Sequence, residues 1–224
     1  MCREGFLIVV EGCDGVGKGA VKSLLQEQIQ KKLDQDNGSI KSLVYMFQQP
    51  TVSAKKEIGQ IDPGNWLRLL YLFMKDRERQ YFDRIKPTLA CGDVVLLDRC
   101  YHSSCVYQGI SGDVSSASIL KAHGPWAIQP DVTFIFHIDP DEIERRLQTR
   151  SEEKEMLEKL EGNRSTRVEI QHRYRELVKN KDPLFDECVL IDASGSPEDI
   201  ANLCMNAMAE KFDSWKKKRD SSLL

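Results

Sequence analysis

Five short apolar runs punctuate the chain: Phe6–Glu11, Ser42–Phe47, Val94–Asp98, Val132–Ile138 and Cys188–Asp192. Their apolar residues are consecutive rather than alternating with polar ones. That is the pattern of strands buried on both faces of a parallel sheet. Longer stretches of helical character lie between them, over about Lys18–Leu33, Asn65–Ala90, Ser115–Ala127, Asp141–Arg150, Glu152–Lys179 and Pro197–Lys217. This alternation predicts an α/β protein, a doubly wound five-stranded parallel sheet flanked by helices. Such sheets bind ligands outside the carboxyl ends of their strands, and the chain's distinctive residues fall there.

Composition narrows the picture further. The 224 residues suit one domain, read as residues 1–215 followed by a solvated basic tail at 216–224. With 41% hydrophobic residues, 30% charged residues and a net charge of −3, no basic excess points to nucleic acid. Seven cysteines form no CxxC pair, which reads as free thiols in a reducing, cytoplasmic setting. The apolar run near the N-terminus is too short for a signal h-region or a membrane span. Gln148–Arg167 is densely charged with few large apolar residues. It reads as an exposed helix face or as a short lid that closes over phosphates.

The first strand runs into Gly12, Cys13, Asp14, Gly15, Val16, Gly17 and Lys18, and a helix follows. This is G-x-x-x-x-G-K in the strand–loop–helix setting it requires. Glycines let successive N–H groups turn inward towards phosphate oxygens, and the helix adds unpaired N–H groups and a positive dipole end. Lys18 supplies a point charge for the β- and γ-phosphates of ATP, and the architecture is that of a P-loop NTPase. The next two positions, Gly19 and Ala20, lack the hydroxyl that ordinarily ligates Mg2+ there. A third strand ends in Asp98 and Arg99. A carboxylate at that end can hold Mg2+ directly or through water, and an arginine can grip a phosphate with two parallel hydrogen bonds. No N-K-x-D motif for reading guanine occurs.

Taken together, these residues resemble the thymidylate kinase family of nucleoside-monophosphate kinases. Glu11–Lys18 resembles its E-G-x-D-G-x-G-K, Leu72–Arg77 its L-F-x-A-[DN]-R, and Asp98–Gly109 its D-R-x-x-x-S-[ST]-x-A-Y-Q-G. Gln129–Thr133 resembles its K-P-D-L-T. The resemblance implies phosphorylation of dTMP to dTDP with ATP and Mg2+, in a homodimer. It implies that Phe73 stacks on the acceptor base and Arg77 bonds the base edge. Arg99 would hold the acceptor phosphate and Asp14 the 3′-hydroxyl. Ser104 and Gln108 would line the base pocket, Tyr107 the sugar, and Arg146 would lie near the adenine of ATP. Members with Gly at the position of Gly15 tend to supply a catalytic arginine from the lid, for which Arg150 is the first candidate and Arg164 and Arg167 are others. Pro50 matches a family proline whose preceding peptide bond can be cis, shaping the acceptor site.

Two features keep other readings open. Gln48-Gln49-Pro50-Thr51 stands where bacterial members carry R-E-P-G, so a kinase of the same fold acting on dUMP, UMP or CMP is an alternative. The missing hydroxyls at Gly19 and Ala20 admit a non-catalytic nucleotide-binding module.

Overall fold

In a computed structural model, the protein is described over residues 5–35, 42–112, 114–124, 126–148, 161–182, 185 and 187–221. Five strands, β1 (Phe6–Glu11), β2 (Val44–Gln48), β3 (Val94–Asp98), β4 (Val132–His137) and β5 (Cys188–Asp192), form one parallel sheet in the order β2-β3-β1-β4-β5. The apolar runs face two cores. Phe6, Ile8 and Val10 of β1 join one cluster, while Leu7 and Val9 join another with Val95, Leu97, Ile85 and Leu89. Side chains alternate across a strand, so a run buried on both sides must be apolar throughout.

The first cluster is closed by α1 (Lys18–Asp34), through Val21, Leu25 and Ile29, and by the long C-terminal helix α9 (Pro197–Ser221), through Cys204, Met208 and Phe212. On the route between β2 and β3 come α2 (Val52–Ile58) and α3 (Trp66–Gln80), then a π-helical turn (Tyr81–Ile85) and α4 (Lys86–Ala90). The sequence reads Asn65–Ala90 as one helix, and the chain is indeed helical throughout, widened by one π turn. After β3 come α5 (Tyr101–Gly112) and α6 (Ser116–His123); α7 (Pro140–Gln148) and α8 (Arg164–Lys179) lie between β4 and β5. No described helix is long and apolar enough to cross a membrane.

The structure differs from the sequence reading in five of its elements. Helices α2 and α5 were not expected, and α6 ends earlier, at His123. Glu152–Lys179 is not a single helix: Gly162 takes φ 57° and the Asn163 side chain accepts from Thr166 N, so α8 begins at Arg164. A left-handed glycine followed by an N-capping asparagine is a boundary. The basic tail is also not wholly solvated, because α9 continues through Lys216–Ser221. Its Arg219 is buried, donates from NH1 to Ser42 Oγ at 2.7 Å, and lies 5.2 Å from the Trp215 ring centroid.

Candidate active site

The site forms where β1 and β3 end side by side. Their register pairs Val10 with Asp98, and Arg99 N donates to Val10 O at 2.9 Å. The loop leaving β1 is thereby set against the turn leaving β3. Three loop glycines have positive φ: 129° at Gly12, 84° at Gly15 and 96° at Gly17. At Gly12 a Cβ would stand 2.6 Å from Phe136 O, so only glycine fits both the dihedral and the space. Lys18 Nζ is buried and donates to Gly12 O at 2.8 Å and Cys13 O at 2.7 Å, curling the loop around the ammonium.

Arg99 is the hub. Its backbone is left-handed, φ 68°, a costly state for an arginine that is held by its surroundings. The buried Glu11 carboxylate supplies much of that hold. It accepts from Cys100 N, Ser103 N and Ser103 Oγ at 2.8, 3.2 and 2.7 Å, and from Tyr174 OH at 2.8 Å. The Arg99 guanidinium then reaches back to the loop. NH2 donates to Asp14 Oδ1 at 2.9 Å, and NH1 donates to Tyr107 OH at 3.1 Å. Burial would raise the Asp14 pKa, but the Arg99 and Lys18 charges outweigh it and hold the carboxyl below its usual range.

The second half of the site lies between α3 and α5. Arg77 is buried, with NH1 donating to Ser104 Oγ at 2.7 Å, and its guanidinium lies 5.4 Å from the Phe73 ring centroid. Phe73 also packs with Ile58 and Leu69, so it serves the core as well as the pocket. Ser104 and Gln108 are buried on α5. The Gln49–Pro50 peptide bond is cis, as the family likeness implied, and Gln49 Nε2 donates to Gln80 Oε1 at 2.9 Å. Arg146 on α7 lies over the other end of the phosphate loop, donating to Val16 O and Ala193 O at 3.3 Å each. Val16, Gly19 and Ala20 lie on the same loop-to-helix turn.

Arg150 falls outside the described residues. The alternative lid arginines are engaged by α7 carboxylates: Arg164 Nε donates to Asp141 at 2.8 Å and Arg167 Nε to Glu144 at 2.9 Å.

Three residues enter the site unannounced by the sequence reading. Glu161 is buried; both its oxygens accept from Asp14 N at 3.0 Å, and it also takes Tyr107 OH. Burial, then the Asp14 charge, raise its pKa. Nothing in the sequence separates it from the other glutamates of its stretch. His123 meets Arg77 at 3.0 Å. Lys22 pairs with Asp98 Oδ2, and here a signal existed, since Lys22 follows Lys18 by one helical turn and shares its face. The described cysteines are all free. Cys13 inside the loop is fully buried, and burial pushes its thiol up to about 12, which removes it as a nucleophile.

The donor set does not fit a divalent ion held by the protein. Mg2+ requires a near-octahedral shell of oxygens. The two hydroxyl positions are Gly19 and Ala20. The Asp98 carboxylate expected to hold the ion faces the Lys22 ammonium, and Asp14 faces Arg99 with Lys18 3.6 Å away. Asp14 and Asp98 are therefore each paired with a side-chain cation through one oxygen, while Asp14 Oδ2 and Asp98 Oδ1 are buried without a hydrogen-bond partner among the described residues.

A phosphate loop, an arginine bonded back to it and a Phe73–Arg77 pair between α3 and α5, on a β2-β3-β1-β4-β5 sheet, are the features of a P-loop nucleoside-monophosphate kinase. A family model described as Thymidylate kinase matches residues 10–203. A probable thymidylate kinase of Methanosarcina acetivorans is 32% identical over 207 residues, covering 88% of this chain and 92% of that one. A thymidylate kinase of Brachyspira hyodysenteriae is 29% identical, covering 92% and 95%. The crystal structure of thymidylate kinase from Ehrlichia chaffeensis shares the fold with a TM-score of 0.65 at 21% identity, covering 91% of this chain and 98% of that one. The chain belongs to the thymidylate kinase family.

Proposed function

We propose that the protein transfers the γ-phosphoryl group of ATP to dTMP, giving ADP and dTDP. The observation that carries this reading is the Arg99 guanidinium, 13% exposed and held between the phosphate loop at Asp14 and Tyr107. A module that only bound ATP would have no use for a second phosphate clamp on the acceptor side.

A phosphate oxygen of dTMP attacks the γ-phosphorus. The bond from that phosphorus to the β–γ bridging oxygen breaks, and its electron pair leaves with ADP. The acceptor is already an anion, so no general base is required. The difficulty is to bring two polyanions into line, and catalysis is positioning and charge neutralisation. Lys18 and the loop N–H groups hold the donor phosphates, Arg99 the acceptor phosphate, and an arginine of the lid at about 148–167, Arg150 first, the transferring group. Arg146 lies beside the adenine. Mg2+ enters with ATP.

On the acceptor side Phe73 stacks on the base, since an aromatic face binds a nucleobase at low entropic cost. Arg77 offers only donors, so it suits the 4-carbonyl of thymine or uracil and opposes the 4-amino group of cytosine. Ser104 and Gln108 complete the pocket and Pro50 shapes its wall. Tyr107 faces the sugar, and Asp14 accepts from the 3′-hydroxyl. Gln48 and Gln49, in place of the arginine and glutamate of bacterial members, favour a second reading in which dUMP or UMP is the acceptor.

The working form is a cytoplasmic homodimer. Leu67, Tyr71 and Phe82 are exposed along one side of the α3 helix and its π turn, and a second copy of the chain is the partner proposed for them. Sedimentation of wild type against Tyr71→Glu tests this, with a shift to monomer expected. The activity is tested by ADP production with Mg2+ and ATP across dTMP, dUMP, UMP, CMP, dCMP and dGMP. Preference for dTMP is the expected result; preference for another monophosphate reassigns the pocket, and ATP binding without turnover leaves only a binding module.

A further inference from the structure

Asp98 and Lys22 form an ion pair across the site, from the end of β3 to the second turn of α1. Both side chains are largely withdrawn from water, at 13% and 16% exposure. In that setting an unneutralised carboxylate beside a triphosphate is strongly unfavourable, because like charges repel more as the local dielectric falls. P-loop proteins ordinarily resolve this conflict with a divalent ion shared by the loop hydroxyl, the strand-end aspartate and the nucleotide. This chain has Gly19 and Ala20 in place of the hydroxyls. A Cβ at Gly19 would meet nothing within 4 Å, so packing does not account for the absence of a serine or threonine there. The loss of the hydroxyls and the ammonium on Asp98 are two separate changes that act in one direction.

We propose that Lys22 is the resident cation of the Asp98 carboxylate, replacing the protein's hold on a divalent ion, so that the enzyme binds ATP with little preference for its metal complex. The metal then stays a ligand of the nucleotide alone. Lys22 acts through Asp98 by neutralising it and is a positioning residue, not a catalytic one. This inference rests on the reading of Gly12–Lys18 as the ATP phosphate loop.

The test is equilibrium binding of the non-hydrolysed nucleotide, with no acceptor present. Dissociation constants are measured by calorimetry for ATP with Mg2+ and for ATP with EDTA, and their ratio is the metal preference. Wild type is expected to show a ratio below about threefold. Lys22→Met, which keeps the length of the side chain and removes its charge, frees Asp98 and is expected to raise the preference by about threefold or more. Lys22→Arg keeps a cation and returns the wild-type ratio, which a merely structural role for the lysine stem would not require. Asp98→Asn is an independent check that leaves Lys22 in place, and its ratio stays at the wild-type value. A wild-type preference above about threefold that Asp98→Asn removes, or an unchanged ratio in Lys22→Met, overturns the proposal. Absence of ATP binding under both conditions refutes the phosphate-loop reading and this inference with it.

Discussion

Arg77 NH1 lies 3.0 Å from His123 Nε2, and on the far side of the ring His123 Nδ1 lies 2.8 Å from Ile119 O. A carbonyl only accepts, so Nδ1 carries the proton and Nε2 is left to accept from the guanidinium. The histidine is thus held neutral against the Arg77 guanidinium. Burial, followed by the Arg77 charge, pushes its pKa down to about 4, with the Ile119 carbonyl opposing. The unfolded chain binds this proton near 6.5, so between about 6.5 and 4 the unfolded state holds more protons than the folded one. Stability is therefore full above that window and falls as pH drops through it, by about 3 kcal/mol over the whole range. Urea unfolding of wild type and His123→Gln at about pH 7 and about pH 5 checks the assignment. The wild type is expected to lose stability more steeply; parallel losses would remove His123 as the source.

Much of this geometry was legible because it rests on periodicity and on local backbone demands. β1 and β3 fall where the apolar runs place them, since a strand buried on both faces has no polar position to blur its ends, and the edge strand β5 falls on its own apolar run. Helix α5 was invisible, because its serines, cysteines and glycines carry no amphipathic period and it is held from outside by Glu11. The phosphate loop, Arg99 and Arg77 could be read from motifs, but their partners could not. Glu161 is 147 residues from Asp14 and His123 is 46 residues from Arg77, and only the closed fold brings each pair together.

Arg99→Ala removes the guanidinium that links Asp14 to Tyr107. Loss of a preorganised cation at a developing phosphoryl charge is expected to cut kcat/KM for dTMP by about a thousandfold or more. Arg99→Lys keeps the charge but not the planar fork, and recovers only part of that loss. Circular dichroism should show both variants folded. Near wild-type kcat/KM in Arg99→Ala would remove the residue from the mechanism.

Glu161 ties the segment leading into α8 to the phosphate loop through the Asp14 amide. Glu161→Ala leaves that N–H without its carboxylate. Amide exchange at Asp14 is expected to accelerate by about tenfold or more, against little change in the strand amides of β1, because a local opening frees one group while global stability protects the rest. Unchanged protection at Asp14 would mean that the contact does not persist in solution.

Gly15 sits at φ 84°, and a Cβ there would come 2.8 Å from Ile143 Cγ2 and 3.2 Å from Leu147 Cγ. Two costs combine in Gly15→Ala. The left-handed backbone strains any L side chain by about 1 kcal/mol or more, and the new methyl pushes on α7. Ile143 is fully buried, so relief has to come through movement of that helix. The same helix carries Arg146, whose guanidinium bridges Val16 O and Ala193 O at the donor end of the site. Strain at the loop should therefore appear in two measurements together. The melting temperature is expected to fall by several degrees, roughly 2–4 °C for each kcal/mol lost. KM for ATP is expected to rise while KM for dTMP stays near wild type, because Phe73, Arg77 and Ser104, proposed above to hold the acceptor, stand on α3 and α5. A fall in melting temperature with both KM values unchanged would confine the strain to the loop and remove α7 from the binding of ATP.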